Sequence, residues 1–404
     1  MTARERLRRV LDVALPLRDI LETRVEEPVV PAWCEARGWQ DFLLGLDDAT
    51  LARCEAHGLA SQLPQLSDAP SDLRELARQI EAAIELPRLQ GSVELSQESL
   101  RTVKQRKRAQ LEGLLAGVAG MAERAERIVD VGAGVGHFTR LSAELFRRPA
   151  LGLERDPARV ATAARRAEGV TGATFVTVDA RQPLELTARD LAIGLHACGE
   201  LGDRLVESAA GSACDFGLVS CCLQKISGPN RRGLSGLARS FELSREHLGL
   251  TNLTAQPQGI EVSIEVTIAA RQTRYALRRL LLGRGVSLEP GAEMHGINRR
   301  RAYQGLAEVA RMALERRELP AATPFELAEH EAAAAREYAI MRRLSLPRSM
   351  LARLVEVLVC LDRASYLEER GQQVLVATLF ERSVSPRNIG IFASYSSVTL
   401  PLLV

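Results

Sequence analysis

The sequence predicts an α/β protein built on a doubly wound, mostly parallel sheet, and three observations indicate this class. Between residues 127 and 222, five short apolar runs alternate with helical patterns. The first run ends in a glycine-rich turn, "VDVGAGVGHF". Two further strand-like segments, 372–380 and 388–396, come after a long helical stretch. Because only seven residues join these two segments, we expect them to pair as an antiparallel hairpin and to complete the same sheet.

Each strand of the predicted sheet stands out by its apolar residues and by the turn or helix at its carboxyl end. "RIVDV" leads into the glycine turn and a helix, and "ALGLERDPARVATAARRA" repeats the order strand, acid, helix. "ATFVTVDARQPL" contains a third strand and then an acid, "DLAIGLHACGELGDRL" a fourth that leads into a helix, and "CDFGLVSCCL" a fifth. Short apolar runs separated by helices are typical of parallel strands.

The rest of the chain predicts helices. Residues 1–100 carry apolar residues at three- and four-residue steps, as in "DLRELARQIEAAIEL". Residues 223–345 are mostly helical in pattern and rich in arginine. We therefore predict an N-terminal helical domain (1–100), a first part of the sheet domain (101–222), a helical insertion (223–345), and a final part that holds the last helix and the hairpin (346–404).

Composition limits the class of protein. The 404 residues are 46% hydrophobic and 26% charged, with a formal net charge of +2. This is a globular composition, and charge alone does not require a nucleic-acid partner. The first residues lack the apolar core of a signal peptide, and no run of about 18 apolar residues occurs. Seven irregularly spaced cysteines are typical of reduced thiols. We therefore expect a cytoplasmic protein that does not contact a membrane.

The glycine turn is the strongest indication of a ligand site. Asp130 ends the first strand, and Gly132, Ala133, Gly134 and Gly136 form a G-x-G-x-G turn. Glycines permit tight backbone turning and allow a ligand to lie against the main chain. The helix after the turn offers free N–H groups to anionic or polar parts of a ligand.

Two ligands compete for this turn, a dinucleotide and S-adenosylmethionine. Asp130 would repel a pyrophosphate but suits the amino end of a methionine group. Glu154, with Arg155 next to it at the end of the second strand, can accept hydrogen bonds from two ribose hydroxyls of either ligand. Asp179, with Ala180 next to it after the third strand, can accept one from an adenine amino group. Three acids at three successive strand ends favour S-adenosylmethionine as the cofactor.

The order and spacing of these residues resemble class I methyltransferases, whose Rossmann-like sheet has seven strands and ends in an antiparallel hairpin. "HACGEL" and "SCCLQK" resemble signatures of the methyltransferase-like protein 25 family, which includes proteins named for a ribosomal RNA adenine dimethylase domain. "LDRASYLEERGQQVLVATLFERSVSPRN" resembles the C-terminal signature of that family, and "TVKQRKRAQLE" its basic helix before the first strand. The resemblance covers about residues 100–225 and 350–396 and implies the same fold and cofactor.

Five residues after the fourth and fifth strands are candidates for catalysis: His196, Cys198, Cys221, Cys222 and Lys225. No metal site is expected, because adjacent cysteines rarely chelate one ion and no C-x-x-C pair occurs. A thiolate nucleophile, as in cytosine C5 methylation, is one alternative. We favour acid–base or positioning chemistry, with His196 taking a proton beside the cofactor and Lys225 holding a phosphate. In a purely structural alternative, His196 caps a helix and the cysteines pack behind the cofactor.

The sequence thus predicts a methyltransferase that uses S-adenosylmethionine. RNA, either tRNA or rRNA, is the preferred substrate, on the family resemblance and on the basic segments 101–108 and 223–350. The alternatives are a protein or small-molecule methyltransferase with the insertion as a lid, and a cofactor-binding adaptor without catalysis.

Overall fold

A seven-stranded mixed sheet organises the computed structural model, which describes residues 1–254, 264–289 and 291–396 except for the side chains of Arg106, His196, Thr254 and Ile264. Labelled in chain order, the strands are β1 (Arg127–Val131), β2 (Ala150–Glu154), β3 (Ala173–Thr177), β4 (Asp190–Ala197), β5 (Asp215–Ser220), β6 (Gln373–Thr378) and β7 (Ile389–Ser394). Their spatial order is β3-β2-β1-β4-β5-β7-β6. The first five are parallel, and β7 runs antiparallel to both β5 and β6. The predicted α/β class and the closing hairpin are therefore confirmed.

Helices cover both faces of this sheet, as continuous apolar strands require. They span Gln105–Ala122, His137–Phe146, Pro157–Arg166, Glu200–Ser212 and Leu346–Glu368. The helix Gln105–Ala122 packs on β4, β5 and β7. It approaches closely because Gly117 has no side chain: a Cβ there would lie 2.4 Å from the Phe392 ring. The buried core beneath includes Ile128, Leu191 and Ile193.

The N-terminal hundred residues and the insertion are helical, as predicted. The first group of α-helices spans Ala3–Ala14, Arg18–Glu22, Ala32–Ala36, Gln40–Gly45, Asp48–His57, Leu59–Gln62, Ser71–Ile84 and Gln97–Leu100. The insertion contains Arg245–Leu250, Ile264–Gly283, Leu306–Glu315 and Pro324–Leu344, with 3-10 turns that include Ala292–Met294 and Arg299–Gln304. A short antiparallel ladder pairs Asn230–Arg231 with Leu243–Ser244.

The chain forms two compact units. The first comprises Met1–Arg18, Arg78–Gln256 and Leu351–Val404, and therefore contains the sheet. The second comprises Asp19–Ala77 and Pro257–Met350. The predicted four-part division of the chain stays a prediction, and each compact unit draws on more than one of its parts. Across the described helices, none combines the length and the hydropathy that crossing a membrane requires.

The second unit has its own apolar core and neutralises many of its arginines internally. Leu277, Leu280 and Val309 are buried between its helices. The side chain of Arg274 pairs with Glu293 at 2.7 Å, that of Arg284 with Glu326 at 2.6 Å, and that of Arg342 with Glu55 at 2.5 Å. The arginine excess of the sequence in this region is therefore not a measure of exposed positive charge.

Candidate functional site

The glycine turn after β1 has the conformation that the sequence predicts. Gly132, Gly134 and Gly136 have φ values of +80°, +61° and +78°, which side chains rarely adopt. A Cβ on Gly136 would lie 2.7 Å from the Phe175 ring, so this glycine is needed for packing. On Gly134 the same atom would meet nothing within 4 Å. The turn is thus closed at one glycine and open at another, where a ligand can approach the main chain.

Asp130 is buried at the end of β1, beneath the turn. The hydroxyl of Thr139 donates a 2.7 Å hydrogen bond to its carboxylate. Burial raises the pKa of Asp130 to about 6, although the Thr139 bond and the Lys107 charge act in the opposite direction. Burial lowers the pKa of Lys107, and the charges of Asp130 and Cys221 oppose that change. Lys107 belongs to a basic segment that was predicted to contact RNA, whereas this ammonium is half-buried and acts on the site.

Glu154, at the end of β2, joins the turn to the second strand. Its two carboxylate oxygens accept hydrogen bonds from the backbone N–H of Gly134 at 3.0 Å and of Asp156 at 3.1 Å. Because each carboxylate oxygen has more than one acceptor position, these bonds leave capacity for ribose hydroxyls. The Asp156 side chain in turn caps the helix that starts at Pro157.

Asp179 lies two residues beyond β3, and Arg181 binds its carboxylate through the backbone N–H and the guanidinium. These hydrogen bonds lower the pKa of Asp179 to about 2, and the charge of Arg155 acts in the same direction. Ala180 is the next residue and is partly exposed. Asp179 is therefore an ionised acceptor, but an adenine amino group would have to share it with the exposed Arg181. Its predicted role stays a prediction.

His196 lies in β4 where the pairing with β5 shifts register between Leu195 and Ala197. Such irregularities often occur next to active sites. The imidazole of His196 is outside the described part of the structure, so its predicted roles stay predictions. Lys225 is exposed, and its backbone carbonyl accepts a 3.0 Å hydrogen bond from the N–H of Glu200. This bond ties the segment after β5 to the helix after β4.

The fold brings the three candidate cysteines together. The sulfur atoms of Cys198, Cys221 and Cys222 all lie within 4.8 Å of one another, and each residue is partly buried. Hydrogen bonds from Cys198 and Cys221 lower the pKa of the Cys222 thiol, and the positive charges of Lys225 and Arg387 do the same. The expectation of no metal site depended on spacing along the chain. That spacing did not show how closely Cys198 approaches the cysteine pair.

A buried ionic network supports these strand ends, and it was not predicted from the sequence. Arg363 is fully buried and donates hydrogen bonds to Asp203, to the hydroxyl of Ser220 and to the carbonyl of Gly199. Arg231 bridges the carboxylates of Asp203 and Asp362 at 2.8 Å each. The sequence feature that could have indicated this network is the presence of charged residues within two otherwise apolar helical segments, "GELGDRLV" and "VCLDRASYL". Buried charges of this kind are rare unless they are paired.

Comparison with known proteins shows what the sheet domain is similar to. Residues 106–229 match a sequence family described as "Methyltransferase domain". Similar solved structures include the sugar N-methyltransferase KedS8 from a Streptoalloteichus species, at 20% identity and a TM-score of 0.24 over 33% of this chain and 57% of that one. TrmN from Thermus thermophilus matches at 20% identity and a TM-score of 0.22, over 32% of this chain and 46% of that one. Magnesium protoporphyrin IX methyltransferase (ChlM) from Synechocystis PCC 6803 matches at 22% identity and a TM-score of 0.23, over 37% of this chain and 66% of that one.

This chain covers less than two thirds of each of these three structures, and the identities and TM-scores are too low to indicate a shared substrate. The family match, together with the strand order and the glycine turn, indicates a methyltransferase domain, and S-adenosylmethionine is the cofactor that the sequence predicts for it. The residues fit this cofactor. An open glycine lies between an ionisable buried acid, Asp130, and a carboxylate with acceptor capacity, Glu154.

Proposed function

We propose that this protein is an S-adenosylmethionine-dependent methyltransferase that acts on RNA, and that it is a relative of the methyltransferase-like protein 25 family. The observation that carries the RNA proposal is an exposed basic and aromatic segment in the second unit. Arg299 and Arg300 are exposed in the 3-10 turn Arg299–Gln304, and Tyr303 in the same turn is 40% exposed. Arginines contact phosphates and aromatic rings stack on bases, which together suit single-stranded RNA.

The ion pairs of the second unit distinguish which of its exposed arginines are suited to bind phosphate. Arg311, on the neighbouring helix, is also exposed but pairs with Glu308 at 3.2 Å and with Glu315 at 3.4 Å. A phosphate would have to compete with two carboxylates for Arg311, so we expect it to add little to RNA affinity. Arg299 and Arg300 therefore supply the contacts, and Arg311 supplies a matched control.

In this proposal the cofactor supplies an activated methyl group, and the chain supplies binding and alignment. Asp130 and Glu154 hold the cofactor at the turn. Lys225, exposed after β5, holds a phosphate of the acceptor strand. His196 takes the proton that the acceptor atom loses. Alignment of the acceptor with the methyl group supplies much of the rate in such a reaction.

Radioactive methyl transfer tests the substrate. The purified chain is incubated with methyl-labelled S-adenosylmethionine and with RNA, protein and metabolite fractions from the same host. We expect label in the RNA fraction that ribonuclease releases and protease does not. Label confined to protein or metabolites would refute the RNA proposal. Cofactor binding by calorimetry without transfer to any fraction would indicate a non-catalytic adaptor instead.

RNA binding tests the contribution of the exposed turn Arg299–Gln304. The double variant Arg299→Ala with Arg300→Ala should bind RNA more weakly. The slope of its log affinity against log salt concentration should be smaller by up to about two, because up to two phosphate contacts are lost. The Arg311→Ala variant should retain wild-type binding. Equal losses in both variants would contradict the assignment. A His196→Ala variant with full turnover would exclude the proposed role of His196.

The cytoplasmic location belongs to the same proposal and has its basis in the cysteine usage alone.

A further inference from the structure

Three thiols from two separate strand ends meet in this structure. Cys198 comes directly after β4, and Cys221 and Cys222 come directly after β5. Their sulfur atoms lie within 4.8 Å of one another, although Cys198 is 23 residues before Cys221 in the sequence. The other four cysteines are fully buried and belong to no such group among the described residues.

The two segments that carry these thiols are fixed to each other. A Cβ on Gly199 would lie 2.1 Å from the carbonyl oxygen of Lys225, so the main chains are in direct contact there. Gly199 has φ +50° and ψ −121°, a conformation that is essentially restricted to glycine. Arg363 donates to the Gly199 carbonyl at 2.7 Å and also to the Ser220 hydroxyl. The thiols are thus held close together by the main chain and by a buried guanidinium.

Cationic side chains lie near two of these three thiols. Positive charges of Lys225 and Arg387 act on Cys222, and the Lys107 ammonium acts on Cys221. Three thiolates without compensation would repel one another strongly in a partly buried position. A metal cation bound by all three sulfur atoms would offset that repulsion.

We propose that Cys198, Cys221 and Cys222 form a binding site for one thiophilic metal ion, with Zn²⁺ as the probe ion. A Zn–S bond of about 2.3 Å places the sulfur atoms of a tetrahedral site about 3.8 Å apart. The observed upper limit of 4.8 Å requires each pair to close by about 1 Å at most. The adjacent pair alone would be a poor chelate, but Cys198 from the other strand end completes a three-sulfur face.

Three protein ligands leave one coordination position open, as in catalytic rather than structural zinc sites. The three cysteines lie at the carboxyl ends of β4 and β5, where open parallel sheets bind their ligands. A water or a soft acceptor atom, such as the sulfur of a thiol, would be the fourth ligand. The proposal goes beyond RNA methylation and does not depend on it, since metal binding is measured without methyl transfer.

The test uses the full-length chain, reduced and freed of metal. Co²⁺ is titrated while the thiolate-to-cobalt absorption is monitored, and Zn²⁺ then competes for the same site. We expect one metal ion per chain and protection of three thiols from a thiol reagent. The variants Cys198→Ala and Cys222→Ala should each weaken the binding of Zn²⁺. The loss of affinity should exceed the roughly 10- to 100-fold that loss of a ligand-orienting residue causes. Cys214→Ala, which removes a buried thiol just before β5, should bind as the wild type does.

Circular dichroism verifies that each variant is folded, and the two ligand variants provide independent tests. The proposal is refuted if Co²⁺ gives no thiolate absorption while all seven thiols are titratable after unfolding. It is also refuted if Cys198 forms a disulfide with Cys221 or Cys222 in preference to binding the ion, because the site would then be a redox pair. Equal effects of Cys214→Ala and Cys198→Ala would count against it as well.

Discussion

The charge on Asp130 gives a sharp test, because the carboxyl that is proposed to bind the cofactor also destabilises the protein. Burial raises the pKa of Asp130 from 3.8 to about 6. A group whose pKa is raised in the folded state stabilises the fold below its unfolded pKa. That stabilisation is lost as the pH rises through the folded value. The ionised carboxylate therefore lowers the free energy of unfolding at neutral pH, by up to about 3 kcal/mol.

The Asp130→Asn variant removes this titration while it retains the shape of the side chain. With these pKa values, the wild type loses about 1.4 kcal/mol of stability through this group between pH 5 and pH 8. The variant does not lose it, so the stability difference, variant minus wild type, should grow by about 1.4 kcal/mol over that interval. Titrating groups that do not interact with Asp130 are the same in both proteins and cancel in the difference.

Urea denaturation at pH 5 and pH 8 measures this difference. Far-ultraviolet circular dichroism is the appropriate probe, because both tryptophans, Trp33 and Trp39, lie in the second unit and would report on it alone. In parallel, the variant should bind S-adenosylmethionine more weakly by roughly 10- to 100-fold, as expected for loss of a charged hydrogen-bond acceptor. A stability difference that is constant with pH, or that shrinks as the pH rises, would refute this account of Asp130.

Two further predictions concern the framework of the site. Gly136→Ala should lower stability by roughly 1–3 kcal/mol, since it adds a clash with the Phe175 ring to an unfavourable backbone angle. Gly134→Ala, which has the backbone strain alone, should lower it by no more than about 1–2 kcal/mol; thermal melting in the absence of cofactor separates them, and equal shifts would contradict the packing argument. Arg363→Met should destabilise by roughly 3–5 kcal/mol, because it deprives buried Asp203 of one of its two guanidinium partners. Chemical denaturation measures this, and a loss below about 1 kcal/mol would mean that the network is not needed for stability.

Local sequence signals were sufficient for the sheet and the turn. The apolar runs of β1 to β5 are short and are separated by helices, so pattern alone predicts parallel strands. The glycines at 132, 134 and 136 are required by positive φ angles that result from the turn itself. The hairpin of β6 and β7 was predictable because a short link leaves two strands few other ways to pair.

The arrangement of side chains across long separations could not be predicted in the same way. Lys107 belongs by sequence to a basic segment, and only the packing of its helix on the sheet brings it to Asp130 and Cys221. The pairing of Arg284 with Glu326, and of other arginines in the insertion, likewise depends on helix packing. Charge counted along the chain therefore overstated the basic surface of residues 223–350.

The buried network explains why several motifs of this sequence occur together. Asp203 comes from "GELGD", Ser220 from the double-cysteine segment and Arg363 from "LDRASYL", and one guanidinium bonds both of the others. Arg387 of "SPRN" contacts the Thr251 carbonyl and adds positive charge at Cys222. These segments are far apart in sequence, but each holds or charges the same two strand ends. The motifs are thus parts of one structure that fixes three thiols at the carboxyl ends of β4 and β5, which makes those thiols the first residues to test.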